Sequence, residues 1–218
     1  MNILILGAGG HGQTLLDALL KAQRQGGPMR PLGFLDDTPE LQGRALDGLP
    51  VLGPFARLDD LRPDGVILGI GDNATRKALY LQLRARGLNL VTLVHPSAVV
   101  ALNVTLGRGS YIGANATVGV ATRIGENAIV SGSSCIGHHN FIGDHAHVGP
   151  GVHSTRDVQV GEGTLVGVGT NLVSGCKVGN WSVVMAGALV SREIPDNVLA
   201  GGTPARPIRS LAATRDRL

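Results

Sequence analysis

From Val94 onward the chain carries an aliphatic residue at every sixth position. The series reads Val94, Val100, Leu106, Ile112, Val118, Ile124, Val130, Ile136, Ile142, Val148, Ser154, Val160, Val166, Leu172, Val178, Val184 and Val190. Sixteen of the seventeen are aliphatic, and no insertion interrupts the 97 residues. Four residues after each aliphatic stands a small or β-branched one, as at Ala98, Val104, Ser110, Ala116, Thr122, Ala128 and Ser134. Gly follows the aliphatic residue at ten steps. Such a fixed short period is the mark of stacked repeats. Two inward positions per six residues, separated by a corner, predict a three-sided coil that closes after 18 residues. Successive coils then pair as parallel strands about 4.8 Å apart. Gly is expected at the corners, where unusual backbone angles are needed.

The first ninety residues follow a different rule. Asn2 to Leu6 reads as a buried strand, and Gly7-Ala8-Gly9-Gly10-His11-Gly12 follows it. Leu15, Leu16, Leu19 and Leu20 then recur with helical spacing. Strand, Gly-rich turn and helix is the context in which such a turn binds phosphate on backbone N–H groups. Pro31 to Leu35 predicts a second strand ending in Asp36-Asp37, where a carboxylate commonly meets a ribose or base. Gly65 to Ile70 predicts a third strand, leading into Gly71-Asp72-Asn73 and a helix from Ala74 to Arg86. Leu90 to Val94 predicts a fourth strand. A full dinucleotide fold needs two mononucleotide halves. Ninety residues hold little more than one, so a mononucleotide or nucleotide-sugar site is expected over NAD, with a purely structural turn as the alternative. The predicted organisation is a Rossmann-like α/β domain over 1–93 and a parallel β-helix over 94–218.

Composition agrees with a repetitive β architecture. The chain has 218 residues, 33 of them Gly, and only 3% aromatic residues. Net charge is +3, and no basic run with interleaved aromatics points to nucleic acid. Arg206, Arg209, Arg215 and Arg217 crowd the C-terminus, as a solvated tail or as contacts for an anionic cofactor. Cys135 and Cys176 are the only cysteines, which fits reduced thiols and a cytoplasmic setting. Cys176 falls at an interior repeat position. The opening residues lack the basic and apolar regions of a signal peptide or membrane span.

Five of the seven histidines, His138, His139, His145, His147 and His153, lie within 16 residues. His138, His139 and His147 fall at positions that point out of the coil. The interior rule is broken at Asn140 and Ser154, both beside this cluster. Such breaks gather where function overrides packing.

The aliphatic-Gly hexapeptides over residues 94–207 resemble those of the hexapeptide-repeat acyltransferases, which fold as left-handed β-helices and act as homotrimers. The whole chain resembles their two-domain bacterial branch. That branch includes nucleotide-4-amino-sugar N-acetyltransferases, GDP-perosamine N-acetyltransferases and sialic acid O-acetyltransferases. The resemblance is carried by the Gly7–Gly12 turn with His11, Asp36-Asp37, Ile70-Gly71-Asp72-Asn73 with Arg76, His95-Pro96, His138, His147 and Gly202-Thr203-Pro204-Ala205-Arg206. It implies that His138 is the general base for attack of a sugar amine or hydroxyl on the acetyl-CoA thioester. Backbone N–H groups would stabilise the oxyanion. It implies a nucleotide sugar held by Gly9, Gly10, His11, Gly12, Asp36, Asp37, Gly71, Asn73 and Arg76. It implies acetyl-CoA held by His147, Arg156, Gly167, Gly187, Pro204 and Arg206, at sites between subunits. No metal, nucleic acid or membrane partner is implied.

The chain departs from that family at two places. The residue after the catalytic histidine is usually an acid that orients it, and here it is His139. The usually small residues after the cluster are Ser154-Thr155-Arg156. One coil is 18 residues, so Asp157 stacks beside His139 and Arg156 beside His138. Asp157 is therefore expected to restore the missing carboxylate, pairing with His139 or reaching His138. Arg156 would bind CoA phosphate or lower the His138 pKa by like charge. The competing readings are O-acetylation of sialic acid or another sugar hydroxyl, a zinc enzyme of the carbonic anhydrase type, and a non-catalytic nucleotide-binding scaffold.

Overall fold

A computed structural model describes residues 1–211. The tail arginines Arg215 and Arg217 lie outside the described residues. The chain divides into two compact units, the first Met1–Pro96 and the second beginning at Ser97.

In the first unit, β1 (Asn2–Leu6), β2 (Arg30–Leu35) and β5 (Gly65–Leu68) form a parallel sheet in the order β2-β1-β5. Between β2 and β5 lie a small antiparallel hairpin, β3 (Ala45–Leu46) with β4 (Leu49–Pro50), and the one-turn helix α2 (Leu58–Leu61). Ile3, Leu4, Ile5 and Leu6 are each 0% exposed. An uninterrupted apolar strand is what a central parallel strand covered on both faces requires. Helix α1 (Gly10–Arg24) connects β1 to β2 and buries Leu15, Leu16 and Leu19. Helix α3 (Asn73–Ala85) follows β5, and its Tyr80 and Leu83 pack in a core with Leu4, Leu6, Leu35 and Val66. The expected fourth strand is reduced to a bridge between Leu90 and Val66 plus a separate two-residue strand, Leu93–Val94. Only the amides flanking Leu90 reach Val66, through Val91 N to Val66 O (2.9 Å) and Val66 N to Asn89 O (2.9 Å). The third strand also stops short of Ile70. Gly69 turns instead against the Gly7 backbone, where a Cβ would stand 2.5 Å from the Gly7 oxygen.

In the second unit two-residue strands recur every six residues from Val99–Val100 to Leu189–Val190. Each pairs in parallel with strands 18 residues away, as in Thr117↔Cys135 and Val118↔Ile136. The aliphatic positions from Ile112 to Val190 are buried, and so is Ser154. Cys176 is buried as expected, which pushes its thiol up to about 11, while Cys135 is exposed. The coils end in a strand, Val198–Gly202, that pairs with Val183–Val184 and turns back antiparallel through Ala205–Ser210.

The glycines do something other than expected. Those that follow the aliphatic residues keep ordinary backbone angles. They are needed because the next coil's backbone lies where a Cβ would be: a Cβ on Gly113 would stand 2.5 Å from Gly132 N, and one on Gly161 2.6 Å from Asn180 N. The left-handed corner falls three residues after the aliphatic instead. Every sixth residue from Asn103 to Gly187 has positive φ, including Asn115, Ala121, Asn127, His139, His145, Asp157 and Trp181. Asn, Asp, His and Gly tolerate this region best.

This separation of roles is testable. Gly161→Ala should destabilise by about 1–3 kcal/mol or more, since backbone on the neighbouring coil cannot yield easily. Gly169→Asn, at a left-handed corner with open space around it, should stay within about 1 kcal/mol of wild type. Denaturant unfolding midpoints of the two variants check the contrast.

Candidate active site

The sheet order of the first unit places a topological switch point beside β1. The chain leaves β1 through α1 towards β2, while β5 lies on the other side of β1 and leads into α3. Ligands of open α/β sheets bind at the carboxyl ends of strands flanking such a point. Here those ends carry the Gly7–Gly12 and Gly69–Asn73 turns. Gly7, with φ +102°, and Gly69 pack against each other, and Gly12 packs onto the Gly7 carbonyl. These three contacts leave no room for a side chain, so Gly12 sets the helix–strand spacing instead of facing a ligand. Gly9 and Gly10 have open space around them, and so does Gly71. Gly9 caps α1 without a side-chain hydrogen bond. The first N–H groups of a helix have no partner within it, so Gly10 and the half-buried His11 present amides suited to an anion. The sequence reading did not single out Gly69. Its signal was a second Gly at the end of an apolar run.

The two adjacent carboxylates hold loops. Asp36 accepts from Ala8 N (2.7 Å) and Thr38 N (2.9 Å), and Asp37 accepts from Phe55 N (2.8 Å). Burial works to raise the Asp36 pKa, but its hydrogen bonds from Thr38 and Ala8 outweigh that and hold it below the ordinary value. Arg76, expected among the residues that hold the nucleotide sugar, turns its guanidinium onto its own turn. It is 1% exposed and donates to the Ile70 and Gly71 carbonyls (both 3.1 Å) and to Asn73 Oδ1 (2.8 Å). Burial pulls its pKa down to about 10, against the pull of Asp72. Arg76 thus shapes the Ile70–Asn73 turn and takes up the side-chain oxygen of Asn73. Asp72 caps α3 through Thr75 N (2.8 Å).

On the solenoid, His138 and His139 occupy one exposed corner, with His139 at the left-handed position (φ 58°). Their Nδ1 atoms lie 2.9 Å apart, with the rings edge to face at 86°. Asp157 does stack below His139: its amide donates to the His138 carbonyl (3.3 Å) and its φ is also 58°. Its carboxylate, however, accepts from Arg156 Nη1 (2.7 Å). The expected Asp157–histidine pair is therefore absent from this structure. The adjacent guanidinium is a stronger hydrogen-bonding partner than a neutral imidazole.

The two interior rule-breakers bond to each other. Asn140 donates to Ser154 Oγ (2.8 Å) and to the Thr155 carbonyl (2.9 Å), and its Oδ1 accepts from Val158 N (2.7 Å). Thr122 Oγ1, one coil earlier, donates to the Gly137 carbonyl (2.8 Å) and accepts from Asn140 N (3.2 Å). The small Ser154 makes room for the long Asn140, and the pair ties the backbone on both sides of the His138 corner.

His147 is half-buried, with Nε2 3.0 Å from Ser131 Oγ. Ser131 stands where the repeat would place Gly, a break that the sequence reading could have followed. His145 is buried, and Asn127, one coil earlier at the same corner, donates to its Nδ1 (2.8 Å). Gly167, expected to contact CoA, is a stacking glycine: a Cβ there would stand 2.6 Å from Ala186 N. Gly187 is an open left-handed corner. Pro204 and Arg206 lie at and just after the turn of the C-terminal hairpin, both exposed.

An α/β unit with Gly-rich turns at its strand ends, followed by a hexapeptide solenoid, is an architecture shared with sugar acetyltransferases. The comparisons agree. Residues 2–83 match the family model described as the PglD N-terminal domain. PerB from Caulobacter crescentus, solved in complex with CoA and GDP-perosamine, is 31% identical with a TM-score of 0.86, covering 96% of this chain and 98% of that one. The acetyltransferase domain of PglB from Neisseria gonorrhoeae, solved with acetyl coenzyme A, is 29% identical with a TM-score of 0.85, covering 95% and 98%. The UDP-N-acetylbacillosamine N-acetyltransferase of Bacillus subtilis is 35% identical over 119 residues, 52% of this chain and 51% of that protein. The chain spans 30% to 51% of the length of the first curated relatives it matches. The chain belongs to the two-domain, left-handed β-helix family of hexapeptide-repeat sugar acetyltransferases.

Two outcomes follow from the geometry. Asp36 has a depressed pKa in the folded protein, so the stability it adds is present above its ordinary value of 3.8 and is lost as pH falls through the lower folded value. Unfolding midpoints of wild type and Asp36→Asn should differ near neutral pH and converge in acid. Asn140→Thr and Ser154→Val should each destabilise alone, and the double variant, which restores the ordinary repeat, should recover at least about 1 kcal/mol. A double-mutant cycle by chemical denaturation measures that coupling.

Proposed function

We propose that this chain transfers the acetyl group of acetyl-CoA to the amine of a nucleotide-linked amino sugar of the 4-amino-4,6-dideoxy type. The observation that carries the reading is the His138 ring. It stands exposed on the solenoid with Nδ1 engaged by His139 at 2.9 Å, which leaves Nε2 as the atom to take a proton. In this mechanism the sugar nitrogen attacks the thioester carbonyl while His138 Nε2 removes its proton. The tetrahedral intermediate then collapses, the C–S bond breaks, and the proton passes to the departing CoA sulfur. The Gly9–Gly10 amides would receive the nucleotide phosphates, with Asp36 and Asp37 shaping the loops around the nucleoside.

Support for the acceptor and donor comes from relatives. PerB was solved with CoA and GDP-perosamine, and a Bacillus subtilis relative is named for N-acetyltransfer to a UDP-linked sugar. Arg156, His147, Gly187, Pro204 and Arg206 are proposed to line the path of CoA. The active form is proposed to be a homotrimer with sites between subunits, working in the cytoplasm in the biosynthesis of a surface polysaccharide. Among the described residues no helix is long and apolar enough to cross a membrane.

The test is an acceptor panel with acetyl-CoA: UDP- and GDP-linked 4-amino sugars against sialic acid. Acetylation of an amino sugar, lost by about 10²–10⁴-fold in His138→Ala, is the expected result. Turnover of sialic acid alone would replace the amine with a hydroxyl acceptor. Undiminished activity in His138→Ala would overturn the assignment of the base.

A further inference from the structure

The structure assigns to His139 the work of a neutral orienting group: its Nδ1 accepts the proton carried on His138 Nδ1, which fixes His138 in the tautomer whose Nε2 is bare. This inference rests on His138 being the base, and it goes further by saying what holds that base ready.

Only one hydrogen can lie between two nitrogens 2.9 Å apart. If His139 donated it, the His138 Nδ1 lone pair would be used and Nε2 would carry the remaining proton, leaving no atom on His138 to act as base. If His138 donates it, Nε2 is bare before the reaction. The same hydrogen bond then persists when Nε2 has taken the substrate proton. The edge-to-face rings fit this end-on contact.

The surrounding groups leave the role to His139. On the preceding coil the corner carries Val120 and Ala121, which are uncharged, and His139 N donates to the Val120 carbonyl (2.9 Å). On the following coil it carries Arg156 and Asp157, which bond to each other. The carboxylate stacked on this corner, Asp157, is thus already paired with a cation.

An imidazole acceptor differs from a carboxylate in one respect. A proton on His139 Nδ1 turns the acceptor into a second donor and breaks the contact.

The corner itself permits clean tests. Ala121 holds the same left-handed angle one coil earlier (φ 58°), and Asn103, Asn115 and Asn127 hold it elsewhere, so His139→Ala and His139→Asn keep the backbone. In His139→Asn, whose side-chain oxygen still accepts, the rate near neutral pH should stay within about threefold. His139→Ala should lose about tenfold or more in kcat with KM for acetyl-CoA unchanged. Long-range proton–nitrogen spectra of the histidine-labelled full chain, assigned with His138→Gln and His139→Asn, read the tautomers directly. The expected result is His138 protonated on Nδ1 and His139 on Nε2. His138 protonated on Nε2, or His139→Ala as active as wild type, would overturn the inference. The spectra need no turnover, so a chain with the expected tautomers and no acetyl transfer would sink the functional reading and leave the hydrogen bond standing.

Discussion

Everything in the second unit depends on how closely one coil can lie on the next. Backbone amides of each coil donate to carbonyls of the following one, as in Gly119 N to Ile136 O and Gly143 N to Val160 O, both 2.8 Å. Where Gly follows the aliphatic residue, a Cβ would meet the next coil's backbone, as at Gly113 and Gly161. Ser131, Val173 and Met185 make the same inter-coil bond with a side chain present (2.8–2.9 Å). Close backbone approach and the burial of the aliphatic side chains inside the prism are thus met by adjacent positions of one repeat.

The histidine corner is built on that regularity by a few exceptions. Asn140 enlarges an interior position that elsewhere holds Ala, Ser, Thr, Val or Cys, and Ser154 shrinks a neighbouring one that elsewhere holds an aliphatic residue. Their mutual hydrogen bond pairs the two buried polar side chains. The surrounding bonds to Gly137, Thr155 and Val158 fix the backbone on which His138 is mounted. An exposed imidazole thus stands on a locally over-determined support, the preorganisation that its proposed role as base calls for.

Architecture was legible because it follows from spacing. The six-residue period, the 18-residue coil, the strand–turn–helix start and the exposure of His138 and His139 could all be read along the chain. Side-chain partners were not. Asp157 and His139 do share a corner, but the choice of Arg156 over a ring nitrogen is a competition between contacts that sequence spacing cannot rank. Arg76 entered as a nucleotide-sugar contact implied by the family resemblance, with the Ile70–Asn73 turn before it. Its burial and its bonds to carbonyls depend on how α3 folds back over that turn. The glycines were placed correctly but for the wrong cause, since a missing Cβ and a positive φ leave the same letter in the sequence.

The uninterrupted row of left-handed corners has one more consequence. Asn, Ala, Ser, His, Asp, Trp and Gly all occupy it without any shift in the path of the main chain. A site on such a row can exchange its residue while the scaffold stays indifferent. Divergence at these corners is then decoupled from folding, and an ancestral solenoid could alter its reactivity one corner at a time.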